Sequence, residues 1–316
     1  MKIVLVTGGT GLVGSAIKEV YHKKYNDYQY FFLSSKDCDL TNLEDTKQLF
    51  EKIKPNYVIH LAANVGGLFK NMNQKVDMFE KNIIINLNVL KCCHDFQVEK
   101  CVSCLSTCIF PDKTTYPINE EMLHLGPPHT SNDAYAYAKR MLDVHSRAYQ
   151  EQYGDNFTCI IPTNIYGPHD NYHLQDAHVI PALIHKCYLA KKDYKPFIVW
   201  GSGRPLRQFI YSEDLAELIL WTLFEVKDKE PIILSVSEED EVSIANVAKL
   251  IAKEFDYLLE FDISKSDGQF KKTADNTKLE KLYQESNGSK YKFTSIEEGI
   301  KKSVKWFVDN YDNARK

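Results

Sequence analysis

Ile3-Val4-Leu5-Val6-Thr7-Gly8-Gly9-Thr10-Gly11-Leu12-Val13-Gly14 is the stretch whose reading decides the fold. Residues 2–7 read as a strand around the continuous apolar run Ile3–Val6, the habit of parallel sheets. Glycines at 8, 11 and 14 follow at once, and a helical pattern continues to about Tyr25. Strand, glycine turn and helix together are the setting of a dinucleotide fingerprint. The glycines allow a tight turn and close approach of backbone to pyrophosphate, and the helix N-terminus faces the anion. Gly8, Gly9, Thr10, Gly11, Leu12, Val13 and Gly14 are therefore expected to line a cofactor.

Working outward, the next strand, Tyr28 to Leu33, ends in Ser34-Ser35-Lys36. An acidic side chain there would bind the ribose 2′-hydroxyl of NAD, whereas small polar and basic residues leave room for a 2′-phosphate. Lys36 thus tilts the expected cofactor toward NADP, with Asp39 and Leu40 beside the adenine. A helix over Leu43–Ile53 and a strand over Asn56–Ala62 follow; Ala62 and Ala63 at that strand's end permit close cofactor approach. A long helix is expected over Val76–Val98, a strand over Lys100–Leu105 and another over Phe157–Ile161. Strands alternating with helices point to a Rossmann-like doubly wound parallel sheet of the α/β class, with its site beyond the strands' carboxyl ends. After Gly167 the chain turns richer in loops, His and aromatics, as expected of a smaller C-terminal substrate-binding lobe. The expected division is 1–165 plus about 209–236 for the cofactor domain, and about 166–208 with 237–316 for the lobe.

Composition narrows the class. A charged fraction of 26% and a net charge of −4 describe an ordinary globular protein with no electrostatic footprint for nucleic acid. No stretch approaches the roughly 20 apolar residues that span a bilayer. The eight cysteines, several in apolar runs, suit thiols in a reducing compartment, so a cytoplasmic protein is expected. Cys101 and Cys104 make a lone C-x-x-C with no second pair, and no metal site is expected.

Tyr135-Ala136-Tyr137-Ala138-Lys139 supplies the chemistry. Residues four apart on a helix share a face, and a nearby ammonium favours the phenolate, moving the phenol from about 10 toward working pH. Tyr135 can then pass a proton to or from a carbonyl oxygen. Alone, the spacing is more often that of an amphipathic helix with a solvated lysine. Its company is the glycine turn and Ser106-Thr107-Cys108 after the fourth strand.

With that turn, the strand-end serine and Tyr-x-x-x-Lys, the chain resembles the extended short-chain dehydrogenase/reductases. Ser106-Thr107-Cys108-Ile109-Phe110-Pro111, Pro162-Thr163-Asn164-Ile165-Tyr166-Gly167-Pro168, His178-Val179-Ile180-Pro181 and Trp200-Gly201-Ser202-Gly203 are similar, more narrowly, to the GDP-L-fucose synthase family, along essentially the whole chain. The resemblance implies an NADP-dependent homodimer, paired through helices 76–98 and 134–153, that takes a GDP-sugar with a ketone at C4. Protons at C3 and C5 are acidified by that ketone, and epimerisation needs a base, an acid and a stabilised enolate oxygen. By resemblance Cys108 is the base, His178 the acid, Tyr135 and Ser106 the partners of the C4 oxygen, and Lys139 the holder of the nicotinamide ribose. It adds Leu105, Pro162, Thr163, Asn164, Ile165 and His178 to the cofactor contacts, and Asn164, Lys186, Trp200, Arg207 and Asp267 to the substrate contacts. Lys186 stands where some members carry arginine, and Lys271-Lys272 reads equally as solvated surface or diphosphate clamp. Two other readings remain: another NAD(P)-dependent nucleotide-sugar epimerase or dehydratase, and a catalytically silent NADP-binding regulator on the same fold. A dehydratase would need an acidic pair after the strand-end Ser/Thr, where this chain has Cys108-Ile109.

Overall fold

The computed structural model describes residues 1–265, 267 and 271–316, and the backbone alone at residues 68 and 69. β1 (Ile3–Thr7) leads through the glycine turn into α1 (Leu12–Val20), and β2 (Gln29–Phe32) follows. α2 (Leu43–Ile53) precedes β3 (Tyr57–His60), and α3 (Leu68–Asn73) and the long α4 (Lys75–Asp95) precede β4 (Lys100–Cys104). α5 (Asp133–Tyr153) is followed by β5 (Phe157–Pro162) and β6 (Asn164–Tyr166). Next come α6 (Val179–Lys192), β7 (Phe197–Trp200), β8 (Leu206–Arg207), β9 (Phe209–Tyr211), α7 (Ser212–Phe224) and β10 (Ile232–Leu234). β11 (Val242–Ser243), α8 (Ile244–Phe255), β12 (Leu259–Asp262), α9 (Thr277–Asn287) and α10 (Ile296–Asp309) complete the chain.

Six strands form one sheet in the order β2-β1-β3-β4-β5-β10, every neighbouring pair parallel. This is the doubly wound sheet expected from the glycine turn. Alternation along β1 explains the two layers. Val4 and Val6 face a core with Ile17 of α1 and Leu215 and Ile219 of α7, while Leu5 faces Phe50 of α2, Val89 of α4 and Leu142 of α5. All three β1 side chains are fully buried, each worth about 1.5–3 kcal/mol relative to exposure. Strand order reverses between β1 and β3, the crevice where such sheets bind ligands.

A third core lies apart from the sheet, built from Tyr166, Tyr172, Ile184 of α6, Phe197 of β7, Ile251 of α8 and Phe307 of α10. The chain reaches it by two short strands absent from the sequence reading, which ends the fifth strand at Ile161. β6 pairs in parallel with β9, and Asn164 Nδ2 donates to the Gln208 carbonyl at 2.9 Å. Buried Gln208 then grips the loop before α9: Nε2 donates to the Val236 and Ala274 carbonyls, and Oε1 accepts from Ala274 N. A bridge between Ile118 and Ala274 holds the same loop against the segment that follows β4.

Candidate active site

The glycine turn is set by close approaches on three sides, one of them at Gly9, where a Cβ would lie 2.7 Å from the Phe32 Cα. Gly8 has φ +68°, and a Cβ there would lie 2.9 Å from the Ala62 nitrogen; one on Gly14 would lie 2.5 Å from the Gly9 Cα. Outward the turn is open, since a Cβ on Gly11 meets only the Gly8 carbonyl oxygen, at 3.3 Å. No side chain caps the start of α1, so its first amide donors face the crevice. Thr10 is exposed there, and Leu12 and Val13 are partly exposed.

At the end of β2, Asp37 is turned onto its own loop. Its Oδ2 accepts from Ser34 N at 2.7 Å and from Ser34 Oγ at 2.6 Å, and those bonds hold its carboxyl below the usual range. Asp39 is likewise engaged by Thr41 N and Oγ1. Lys36 is exposed, whereas Leu40 is buried under the sheet. Ala62 N donates to Thr7 Oγ1 at 3.2 Å, Leu105 N to the Ile160 carbonyl at 2.8 Å, and Thr163 N to the Leu234 carbonyl at 3.3 Å. Ala63 and Ile165 are partly exposed at the same edge, and Pro162 is buried.

Beyond β4 the chain makes a single 3-10 turn, Thr107–Ile109. Ser106 caps it from extended backbone, its Oγ accepting from Cys108 N at 3.4 Å. On α5, Lys139 is 2% exposed; its ammonium donates to the Cys104 carbonyl at 2.8 Å and lies 5.9 Å from the Tyr135 ring centroid. That bond ties the helix to the end of β4, bringing Ser106, Cys108, Tyr135 and Lys139 together.

The electrostatics differ from the expectation. Burial, reinforced by the nearby Cys108 and Cys104 thiols, pushes the Tyr135 phenol well above its ordinary value, and burial pushes Lys139 down. Desolvation here outweighs the ammonium's pull, so the phenol rests protonated. Cys108 is also pushed up by burial, against the opposing pull of Lys272, the Ser106 hydroxyl and Lys139.

His178 caps the start of α6 from extended backbone. It is exposed by surface area, yet desolvation pushes its imidazole down. Two residues earlier, the Asp176 backbone abuts Gly67, where a Cβ would lie 3.0 Å away, so α6 begins against the loop that leaves β3. His178 shares no hydrogen bond with Cys108 or Tyr135.

A cavity of about 440 Å³ opens in front of Cys108, walled by Asp112, Thr114, Tyr116, His129, Asn132 and Lys272 among others. Lys272 was not separable from surface lysines by sequence. Here its ammonium is pushed down by burial and attracted to the Cys108 thiol, with Arg207 and Asp112 also within electrostatic reach. Its neighbour Lys271 instead pairs with Glu238 and Glu241 at the surface.

The expected substrate contacts fall into two groups. Arg207, on β8, is desolvated near Glu241 and Tyr116, close to Lys272. Lys186 lies 4.8 Å from the Trp200 ring centroid, with that indole 68% exposed. Asp267 caps the neighbouring turn, accepting from Ser202 N at 2.7 Å and from Ser202 Oγ at 2.6 Å. Ser266 and 268–270 of the expected lysine-rich loop lie outside the described residues.

A family model described as the NAD dependent epimerase/dehydratase family matches residues 4–236. A GDP-L-fucose synthase of Dictyostelium discoideum is 60% identical over 319 residues, spanning 100% of this chain and 98% of that protein. The chain belongs to the GDP-L-fucose synthases of the epimerase/dehydratase family. The synthase of Escherichia coli (strain K12) is 31% identical, spanning 99% of this chain and 98% of its own. Among solved structures, a GDP-L-fucose synthetase from Naegleria fowleri bound to NADP superposes with a TM-score of 0.95 at 52% identity, covering 100% of this chain and 95% of that one. Synthases of this family thus share with the chain both its sheet and its C-terminal lobe.

Proposed function

We propose that this chain converts GDP-4-keto-6-deoxy-D-mannose to GDP-L-fucose, epimerising C3 and C5 and reducing C4 with NADPH. The observation that carries the reading is a thiol where a dehydratase would need a carboxyl. Cys108 lines a cavity of about 440 Å³ together with a desolvated lysine, on the turn that Ser106 caps. The names of the Dictyostelium relative and of the NADP-bound Naegleria structure agree with it.

The residues fit the cofactor. The open face at Gly11 and the uncapped start of α1 suit the pyrophosphate; the self-satisfied Asp37 and exposed Lys36 leave the end of β2 receptive to a 2′-phosphate. Bound NADPH supplies the hydride for C4. In the chemistry assigned to the chain's own groups, the C4 oxygen accepts from Ser106 and Tyr135. Cys108, as thiolate, removes the protons at C3 and C5. His178 returns protons on the opposite face, and Ser106 and Tyr135 steady the enolate oxygen between. The protonated phenol then delivers its proton as C4 is reduced, while Lys139 holds the nicotinamide ribose. Arg207 and Asn164 would hold the substrate near β6 and β9. Lys186 and Trp200 would form the outer wall for GDP, beside the turn that Asp267 caps.

Homodimer formation is part of the reading, through the outer faces of α4 and α5. A cytosolic location is supported by eight free cysteines; no helix among the described residues is long and apolar enough to cross a membrane.

Incubation with the keto-deoxymannose donor and NADPH in deuterated water, read by NMR, tests the chemistry. GDP-L-fucose labelled at C3 and C5 is expected. Cys108→Ser should cut label uptake by at least about a hundredfold, and uptake at the parental rate in that variant would remove Cys108 as the base.

A further inference from the structure

The turn that carries Cys108 is held at both ends. Its start is capped by the Ser106 hydroxyl, and Ile109 N donates back to the Ser106 carbonyl at 3.2 Å. Its end is held from α5: Arg140 Nε donates to the Ile109 carbonyl at 2.5 Å. Ile109 is fully buried and Arg140 is 5% exposed, so this bond lies out of water.

Arg140 is also a buried cation with no carboxylate partner among the described residues. Its guanidinium lies 5.6 Å from the Tyr137 ring centroid, and its Nη2 is buried with no hydrogen-bond partner. A buried guanidinium without a counter-ion is costly. The anion-forming groups that its charge meets are the Tyr137 phenol and the Cys108 thiol. We propose that Arg140 is the positioning residue for Cys108, clamping its turn through the Ile109 carbonyl and lending the thiolate a counter-charge.

The proposal rests on the reading of Cys108 as the base, and it adds a residue that does not touch substrate. The other groups facing the thiol are Lys272 from the C-terminal loop, Lys139 and Tyr135 from α5 and the Ser106 hydroxyl; Asp112 and His129 line the same cavity. Lys272 and Lys139 attract the thiolate, but the hydrogen bonds of neither reach the 107–109 turn itself. Arg140 does both.

The test uses the full chain with NADP bound, comparing the parent with Arg140→Gln and Arg140→Lys. Alkylation of Cys108 by iodoacetamide is followed from pH 6 to 10 by mass spectrometry of its peptide, beside deuterium uptake at C3 and C5. Arg140→Gln should raise the alkylation midpoint by about one pH unit and slow uptake about tenfold or more. Arg140→Lys should keep the midpoint near the parent's but still slow uptake, because an ammonium cannot reproduce the guanidinium's grip. A merely structural arginine would lower the melting temperature and leave the midpoint in place, which would overturn the proposal. Should Arg140→Gln fail to fold, uptake at the parental rate in Arg140→Lys overturns it. Full uptake in Cys108→Ser, by contrast, would fail the base assignment and leave the alkylation midpoint to report on the clamp alone.

Discussion

A lysine one helical turn from a tyrosine favours the phenolate only while water does not have to be stripped from both. At Tyr135 and Lys139 it is, and the phenol rises while the ammonium falls. The same balance acts on the pair proposed for epimerisation: burial lifts the Cys108 thiol and lowers the His178 imidazole. The working form, thiolate with imidazolium, is then a minority form at every pH. Between the two pKa values each unit of pH gains a factor of ten in thiolate and loses a factor of ten in imidazolium, so the product stays constant. Deuterium uptake at C3 and C5 should therefore be flat between about pH 6.5 and 8.5, the ordinary imidazole and thiol values, and fall only outside that window. A bell with a limb inside it, measured as initial uptake rate against pH, would contradict this ionisation order. The residue types were readable from the sequence; their protonation was not, because desolvation depends on what the rest of the chain packs around them.

Between elements, the cofactor turn and the Tyr135 helix are joined by buried polar groups. Thr7 Oγ1 lies 2.8 Å from His60 Nδ1, His60 Nε2 lies 3.0 Å from Asn86 Oδ1, and Asn86 Nδ2 donates to the Ala138 carbonyl at 3.5 Å. Since Asn86 Oδ1 can only accept, Nε2 carries the imidazole proton, and Nδ1 accepts from Thr7. Burial, with the Lys139 charge, pushes His60 down to about 3. An unfolded chain would take up a proton near pH 6.5 that the folded one refuses, so stability should fall as pH drops from about 6 toward 3, by up to about 1.4 kcal/mol per unit. His60→Leu should lower stability at pH 7 by about 2–3 kcal/mol, through the orphaned Thr7 and Asn86 groups, and flatten the acid slope. Melting temperatures from pH 7 to 4 for parent and variant would check both, and an unchanged slope would refute the account. This relay shows where sequence reading stops. The glycine turn, the strand ends and Tyr135–Lys139 are local patterns and were legible. His60 reads as one more residue of a strand, Arg140 as the residue after Lys139, and Lys272 equally as solvated surface or diphosphate clamp, because each acquires its role from a partner distant in the chain. The paired β6 and β9 escaped for the same reason, being too short to carry an alternation.

At the scale of the whole molecule, the α4–α5 layer leaves apolar side chains in water. Val76, Phe79, Ile84 and Leu87 of α4 and Tyr137, Met141 and Val144 of α5 are all exposed. On α5 the spacing of four and then three residues puts them on one face, opposite Leu142, which enters the core, so the stripe is neither random nor part of this chain's own packing. A monomer gains nothing from such a stripe, whereas a second copy meeting it across a two-fold axis would close a four-helix bundle and bury both stripes at once. A standard interface of roughly 800 Å² per partner is within reach of two helices of 21 residues each. Placing charges at the centre of the face, as Leu87→Glu with Val144→Glu, would set four carboxylates against one another across the axis and desolvate them without partners. The double variant should sediment as a monomer where the parent sediments as a dimer. Because Tyr137 lies both on this face and over Arg140, dissociation should also slow deuterium uptake at C3 and C5 more than it weakens NADPH binding. A parent that sediments as a monomer at micromolar concentration, or a charged variant that remains a dimer, would rule out this face as the contact.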